Sequence, residues 1–272
     1  MKFIELLDTH NNQPDSFATE GFLDVSELSN YFTGFISKVV GIFETKKLIP
    51  FAFVRNDLRS AVALINKRSK FELENFAIIT PEYIDGSIVP YLQALREVLA
   101  ELSNIEVRIL KPLENWAANM LTTPGYADKL WLAMPTADKK VEEYSDKLHA
   151  YFNDSVGDGV ANRSFMAVYG DGNGLTHAAT LVEDLTTQSM KMLDGKLSTN
   201  ASSLAKFIHN LSEKSTAANE VHNLPEEKIK PIIALVIQAA RELELLAIVL
   251  FNIKTVTYAH SETVNKINNQ LK

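Results

Sequence analysis

A seven-residue spacing runs through residues 225–271 and limits what this chain can become. Counting from Ile229 in sevens gives Val236, Leu243, Leu250, Thr257, Val264 and Leu271; counting from Ile232 gives Ala239, Leu246, Ile253, His260 and Ile267. Only Thr257 and His260 are not apolar. A repeat held this long marks a helix with one continuous seam against other helices. Pro225 suits a first helical turn, and Glu226 and Glu227 sit at the positive end of the helix dipole. No glycine or proline follows Pro231, so the helix has no internal stop signal and should approach about 60–70 Å. Val236, Leu243, Leu246, Leu250 and Ile253 are its expected helix–helix interface, and His260 reads as a polar residue that fixes register or partner. The expected fold is mainly α: a multi-helix bundle organised on this helix, with at most a minor β-hairpin.

The rest of the chain supplies helices for that seam. Residues 1–20 read as a leader or tether, its Thr9–Ser16 stretch carrying turn formers and no apolar periodicity. A composition shift at Gly21 opens a helical region, 21–134, and a second is expected over 135–272. Apolar residues fall at helical spacing from Val25 to Phe43, and again at Ile88, Tyr91, Leu92, Leu95, Val98, Leu99 and Leu102. Asp85 or Ser87 is the expected cap of the latter helix. Phe76-Ala77-Ile78-Ile79, closed by Thr80-Pro81, is a short β-like run. Further helices are expected from Ile105 to Leu121, Ala137 to Phe152, Leu175 to Leu193 and Ser202 to Leu211. Ser164–Tyr169 leads into Gly170-Asp171-Gly172-Asn173-Gly174, which suits a hairpin turn or a helix-to-helix connection.

Charge is unevenly distributed. The net charge of −7 argues against wholesale nucleic-acid binding. Yet Lys46, Lys47, Arg55, Arg59, Lys67, Arg68 and Lys70 stand against the single acid Asp57, beside Phe51, Phe53 and Phe71. A solvated surface accounts for most such blocks. Arg55, Arg59, Lys67, Arg68 and Lys70 are nevertheless the candidate polyanion contact, where cations would release counterions from phosphates.

Enzymatic chemistry finds little to build on. Without cysteine, disulfides, thiolate catalysis and cysteine-based zinc sites are excluded. Gly170–Gly174 lacks the lysine of a phosphate-binding loop and the spacing of a dinucleotide fingerprint, and Leu175 stands where a calcium loop needs oxygen. The histidines form no metal-ligand pair at helical spacing, and the paired carboxylates Glu142/Glu143 and Glu226/Glu227 lie among solvated charges. No catalytic, cofactor-binding or metal-ligating residue is assigned. In residues 225–271 the longest uncharged run lies between Lys230 and Arg241, short of the roughly 20 residues a bilayer requires, so no membrane partner is expected.

Ala18-Thr19-Glu20 followed by Gly21-Phe22-Leu23, after a polar leader, resembles the site cut by head-maturation proteases of large tailed phages. Val89-Pro90-Tyr91-Leu92-Gln93-Ala94-Leu95, leading to Leu110-Lys111-Pro112-Leu113-Glu114-Asn115-Trp116-Ala117 and then to charged helices, is similar to virion structural proteins of myovirus-type phages. The resemblance implies a non-enzymatic virion component, internal to the head or head-associated, assembled in the host cytoplasm. Glu20 and Gly21 would then be the processing site. Its partners would be capsid or neck proteins, packaged DNA held weakly, and a second copy of the chain. The competing expectation is a cytosolic helical adaptor whose long helix binds a partner protein.

Overall fold

The computed structural model describes residues 55–105, 107, 108, 111, 160–193 and 226–272. The leader with Glu20 and Gly21, Lys46 and Lys47, both tryptophans and the helices expected within 21–54, 112–159 and 202–211 lie outside them. The described elements are α1 (Arg55–Ile65), α2 (Lys70–Asn75), β1 (Ala77–Pro81), α3 (Ile88–Leu102), β2 (Val160–Ser164), α4 (Phe165–Val168), α5 (Gly172–Leu193) and α6 (Glu226–Gln270). The described protein is mainly α-helical, with one small antiparallel sheet.

Helix α3 occupies the span set by its apolar spacing. Ile88, Tyr91, Leu92, Leu95, Val98, Leu99 and Leu102 are all buried, whereas Gln93, Arg96 and Glu97 are exposed. Ser87 is the N-cap residue, in extended conformation but without a side-chain cap bond. Pro90 falls within the first turn, where a missing N–H breaks no intrahelical bond. Each fully buried Leu, Ile or Val contributes about 1.5–3 kcal/mol over its exposed state, so this one stripe anchors the helix.

Local chemistry sets the smaller elements. Ser69 and Glu72 form a reciprocal capping box at the start of α2: the Ser69 N–H donates to Glu72 Oε2 (2.8 Å), and the Glu72 N–H donates to Ser69 Oγ (3.3 Å). Strand β1 pairs antiparallel with β2, from Ala77 opposite Ser164 to Pro81 opposite Val160. The Phe165 N–H extends the ladder by donating to Phe76 O at 2.8 Å. The sheet is therefore a long-range pairing and not a hairpin.

The glycine-rich stretch is a corner between helices. Gly170 takes φ +76°, which suits a residue without Cβ. Its N–H donates to Met166 O (3.1 Å), and Asp171 Oδ1 accepts from the Gly174 N–H (2.8 Å) at the start of α5. A Cβ on Gly174 would fall on the Tyr169 carbonyl oxygen, and one on Gly172 on the Asn66 side-chain amide. Close packing against backbone accounts for Gly174, whereas at Gly172 the exposed Asn66 side chain could swing aside.

Helix α6 runs for 45 residues, about 67 Å. Its side chains are described at Glu242, Leu245 and Leu246 and from Ile248 onward. There both heptad columns are buried: Leu246, Ile253, His260 and Ile267 in one, Leu250, Thr257 and Val264 in the other, with Leu271 half-buried. Two further columns are buried as well: Leu245, Asn252 and Ala259, and Val249, Val256 and Thr263. Elements α1, β1, α3 and α5 all pack on this helix. It is a central post with neighbours on several sides, broader than a two-column seam. One core joins residues from Ala61 to Ile267, so elements on both sides of the expected 134/135 division share it.

Candidate functional site

The polar groups inside this core are its most distinctive chemistry. Tyr91 donates to the Tyr83 hydroxyl (3.3 Å), Tyr83 donates to Asn252 Oδ1 (2.7 Å), and Asn252 Nδ2 donates to Ile248 O (2.8 Å). The chain of bonds begins on α3, passes through the β1–α3 connection and ends on the α6 backbone. The two tyrosine rings pack tilted at 5.4 Å between centroids. Burial raises the pKa of both phenols, so they stay neutral donors and cannot serve as proton acceptors near neutral pH.

A second polar contact lies nearer the end of α6. The Tyr169 hydroxyl meets His260 Nδ1 at 3.0 Å, with the rings edge to face. Thr263 Oγ1 donates to Ile79 O at 3.3 Å. Burial pushes the His260 pKa down to about 4, which makes the neutral ring the resting form. Between α5 and α6, the Thr186 and Thr257 hydroxyls approach to 3.3 Å, each also donating to a carbonyl four residues back in its own helix. Farther up α6, Glu242 is fully buried and Arg108 grips both of its carboxylate oxygens, at 3.2 and 2.6 Å.

Of the expected interface residues, Leu246, Leu250 and Ile253 come together in the core. Val236 and Leu243 lie on α6, with side chains outside the described set. The basic block divides. Arg68 is engaged on two sides: Nη2 donates to Leu271 O (2.5 Å) and Nη1 lies 3.5 Å from Glu72 Oε1. Lys70 lies 3.8 Å from Glu74. The backbone N–H of Ser69, then its hydroxyl, hold the Glu72 carboxyl below its ordinary pKa. Two acids beyond Lys70 thus pair with cations of the block. Arg59 and Lys67 are exposed and form no ion pair among the described residues. Arg55 begins α1, its side chain outside the described set. Phe71 is 74% exposed beside these cations.

Sequence reasoning did not single out Tyr83, Asn252, Arg108 or Glu242 as paired groups. Asn252 carried a signal, being the lone amide in the apolar run Leu245–Ile253. Glu242 carried none, since Glu242 and Glu244 flank Leu243 alike and only the fold distinguishes them. Among the described residues, no group of acidic or histidine side chains could hold a metal ion, and no helix is long and apolar enough to cross a membrane. The described arrangement ties helices together through buried polar contacts. Compared with protein-family models, curated proteins and solved structures, the chain matches none.

Proposed function

We propose that this chain is a non-enzymatic structural component of a tailed-phage virion, internal to the head or head-associated, acting through helix packing and assembly. The observation that carries the packing role is the use of its buried polar groups. Tyr83, Tyr91, Asn252, Tyr169, His260, Thr186, Thr257 and Glu242 all take part in contacts between separate segments. Such contacts specify one arrangement of helices, as polar positions do in helical assemblies. The virion setting is supported by the resemblance of Ala18–Leu23 to a head-protease site and of Val89–Ala117 to virion structural proteins.

Mass spectrometry of purified particles tests the setting. The chain is expected to co-purify with capsid or neck protein, and its mature N-terminus in particles is expected at Gly21. Expression without the phage protease should leave Met1–Glu20 attached. Recovery of the chain only from the soluble fraction, bound to a non-virion protein, would instead support a cytosolic adaptor.

The weak DNA contact is carried by Arg59 and Lys67. Duplex DNA is expected to bind the purified protein weakly, with affinity falling steeply as salt rises. Arg59→Glu with Lys67→Glu should reduce the salt slope by about 2, as each lost phosphate contact lowers it by about 1. No binding by the parent at low salt would show the block to be a solvated surface.

A further inference from the structure

Phe71 projects from α2 next to the cations of the basic block. At 74% exposed it is the most exposed large apolar side chain among the described residues. Leu73, two residues on and so about 200° around the helix, is buried in the core, which turns position 71 outward. The platform beneath the ring is fixed at several points. The capping box of Ser69 and Glu72 closes the first turn, Asn75 Nδ2 donates to Phe71 O at 2.8 Å, and Ser164 Oγ donates to Leu73 O at 3.4 Å. Just before the cap, Arg68 holds Leu271 O at the end of α6. A large ring is thus presented to solvent on a short, well-anchored helix.

The charges around it favour an anion. Lys67, four residues before Phe71, and Arg59 on α1 are exposed and form no ion pair among the described residues. Lys70 has the exposed Glu74 at 3.8 Å, a surface pair worth little. The other acids are turned away or occupied. Glu72 Oε2 accepts from the Ser69 N–H and hydroxyl, and Oε1 lies 3.5 Å from Arg68. Asp57 stands about 200° around α1 from Arg59.

We infer that Phe71 is a stacking platform for single-stranded nucleic acid, with a base laid on its ring and the neighbouring phosphates met by Lys67, Lys70 and Arg59. The inference rests on the reading that this block meets nucleic acid at all, and it adds which form is preferred. Charge complementarity selects a polyanion, and the ring selects among polyanions. A single strand offers both a phosphate backbone and free π-faces, the two features that cations and an anchored aromatic engage together. A duplex offers the block its phosphates alone, because its bases are stacked on one another and must be extruded before a side chain can lie on them.

Binding of the full chain to a fluorescent oligothymidylate and to a duplex of equal length, at low salt, tests the platform. The single strand should bind more tightly. Phe71→Ala should weaken single-strand binding about tenfold and leave duplex binding within about twofold. Phe71→Trp should keep single-strand binding and Phe71→Leu should lose it as Phe71→Ala does, which separates stacking from apolar bulk. The salt slope should be the same in Phe71→Ala as in the parent, since no charge is removed, whereas Arg59→Glu with Lys67→Glu should lower it on both nucleic acids. Equal single-strand binding by parent and Phe71→Ala, with duplex binding intact, would overturn the platform and leave the phosphate contact standing. No binding of either nucleic acid by the parent would overturn both. Binding to vesicles of anionic lipid that Phe71→Ala abolishes, with no effect of that variant on the oligonucleotide, would assign the patch to a membrane surface instead.

Discussion

Leu246→Asp is expected to abolish cooperative unfolding, or to lower the melting temperature so far that the native state is lost near room temperature. Leu246 is fully buried, and Leu245, Val249 and Leu250 beside it are buried too. A carboxylate there must either stay charged in an apolar core or draw α6 out of it, and each route costs several kcal/mol. Domains are stable by only about 5–15 kcal/mol in all. Tyr258→Asp on the same helix is the control, since Tyr258 is 49% exposed. Its melting temperature should move little. Far-UV circular dichroism melts of both variants and the parent make the comparison. If Leu246→Asp melted with the parent, α6 would not be the post on which the core is built.

Second in size is the Arg108–Glu242 pair. Arg108→Met would leave the Glu242 carboxylate buried without its guanidinium, and breaking such a pair costs about 3–5 kcal/mol. The expected readout is a lower urea midpoint with little change in slope. Combining Arg108→Met with Glu242→Leu should recover most of the loss, because removing both charges also removes their desolvation penalty. The double-mutant cycle would then give a coupling well above that of the surface pairs Arg96–Asp184 and Arg163–Asp85, which lie at 3.9 and 3.8 Å with mostly exposed partners. A single variant within about 0.5 kcal/mol of the parent would mean that Arg108 is not what holds the Glu242 carboxylate in the core.

Helices α3, α5 and α6 were legible in the sequence, whereas α1 and α2, which lie in and beside the basic block, were not, and neither were partners distant along the chain. Helix α3 was readable to its boundary residues because its stripe is strictly periodic and its start is marked by turn chemistry. Strand β1 was readable from Ala77-Ile78-Ile79, yet β2 was not. Val160-Ala161-Asn162-Arg163-Ser164 lacks β-branched alternation and is a strand only because β1 offers it a ladder. In α6 the two heptad columns were legible, whereas Asn252 and Thr263 gave no apolar signal and Ala259 lay outside both columns. Their burial depends on elements that pack on the helix from other sides, which no local window contains. The same holds for the candidate site. A Tyr–Tyr–Asn relay or a Tyr–His contact is assembled from segments many residues apart, and its members look ordinary one at a time. The glycine corner shows the converse: its composition was plain, but the carbonyl oxygen that excludes a Cβ at Gly174 is placed there by the turn at Tyr169–Gly170.

Because α6 is the post, the order of synthesis matters. Elements α1, β1, α3 and α5 all pack on a helix that leaves the ribosome after them. At about 5–20 residues per second, roughly 10–40 s separate the emergence of Arg55 from that of Gln270. Throughout that interval α3 and α5 can pack on each other, but the faces of α1, β1, α3 and α5 that meet α6 in the finished core lack that partner. The chain therefore cannot close its core while it grows, and completes folding only once α6 is free in solution. A nascent chain stalled before Glu226 should be held by chaperones, and the free protein with α6 in place should not.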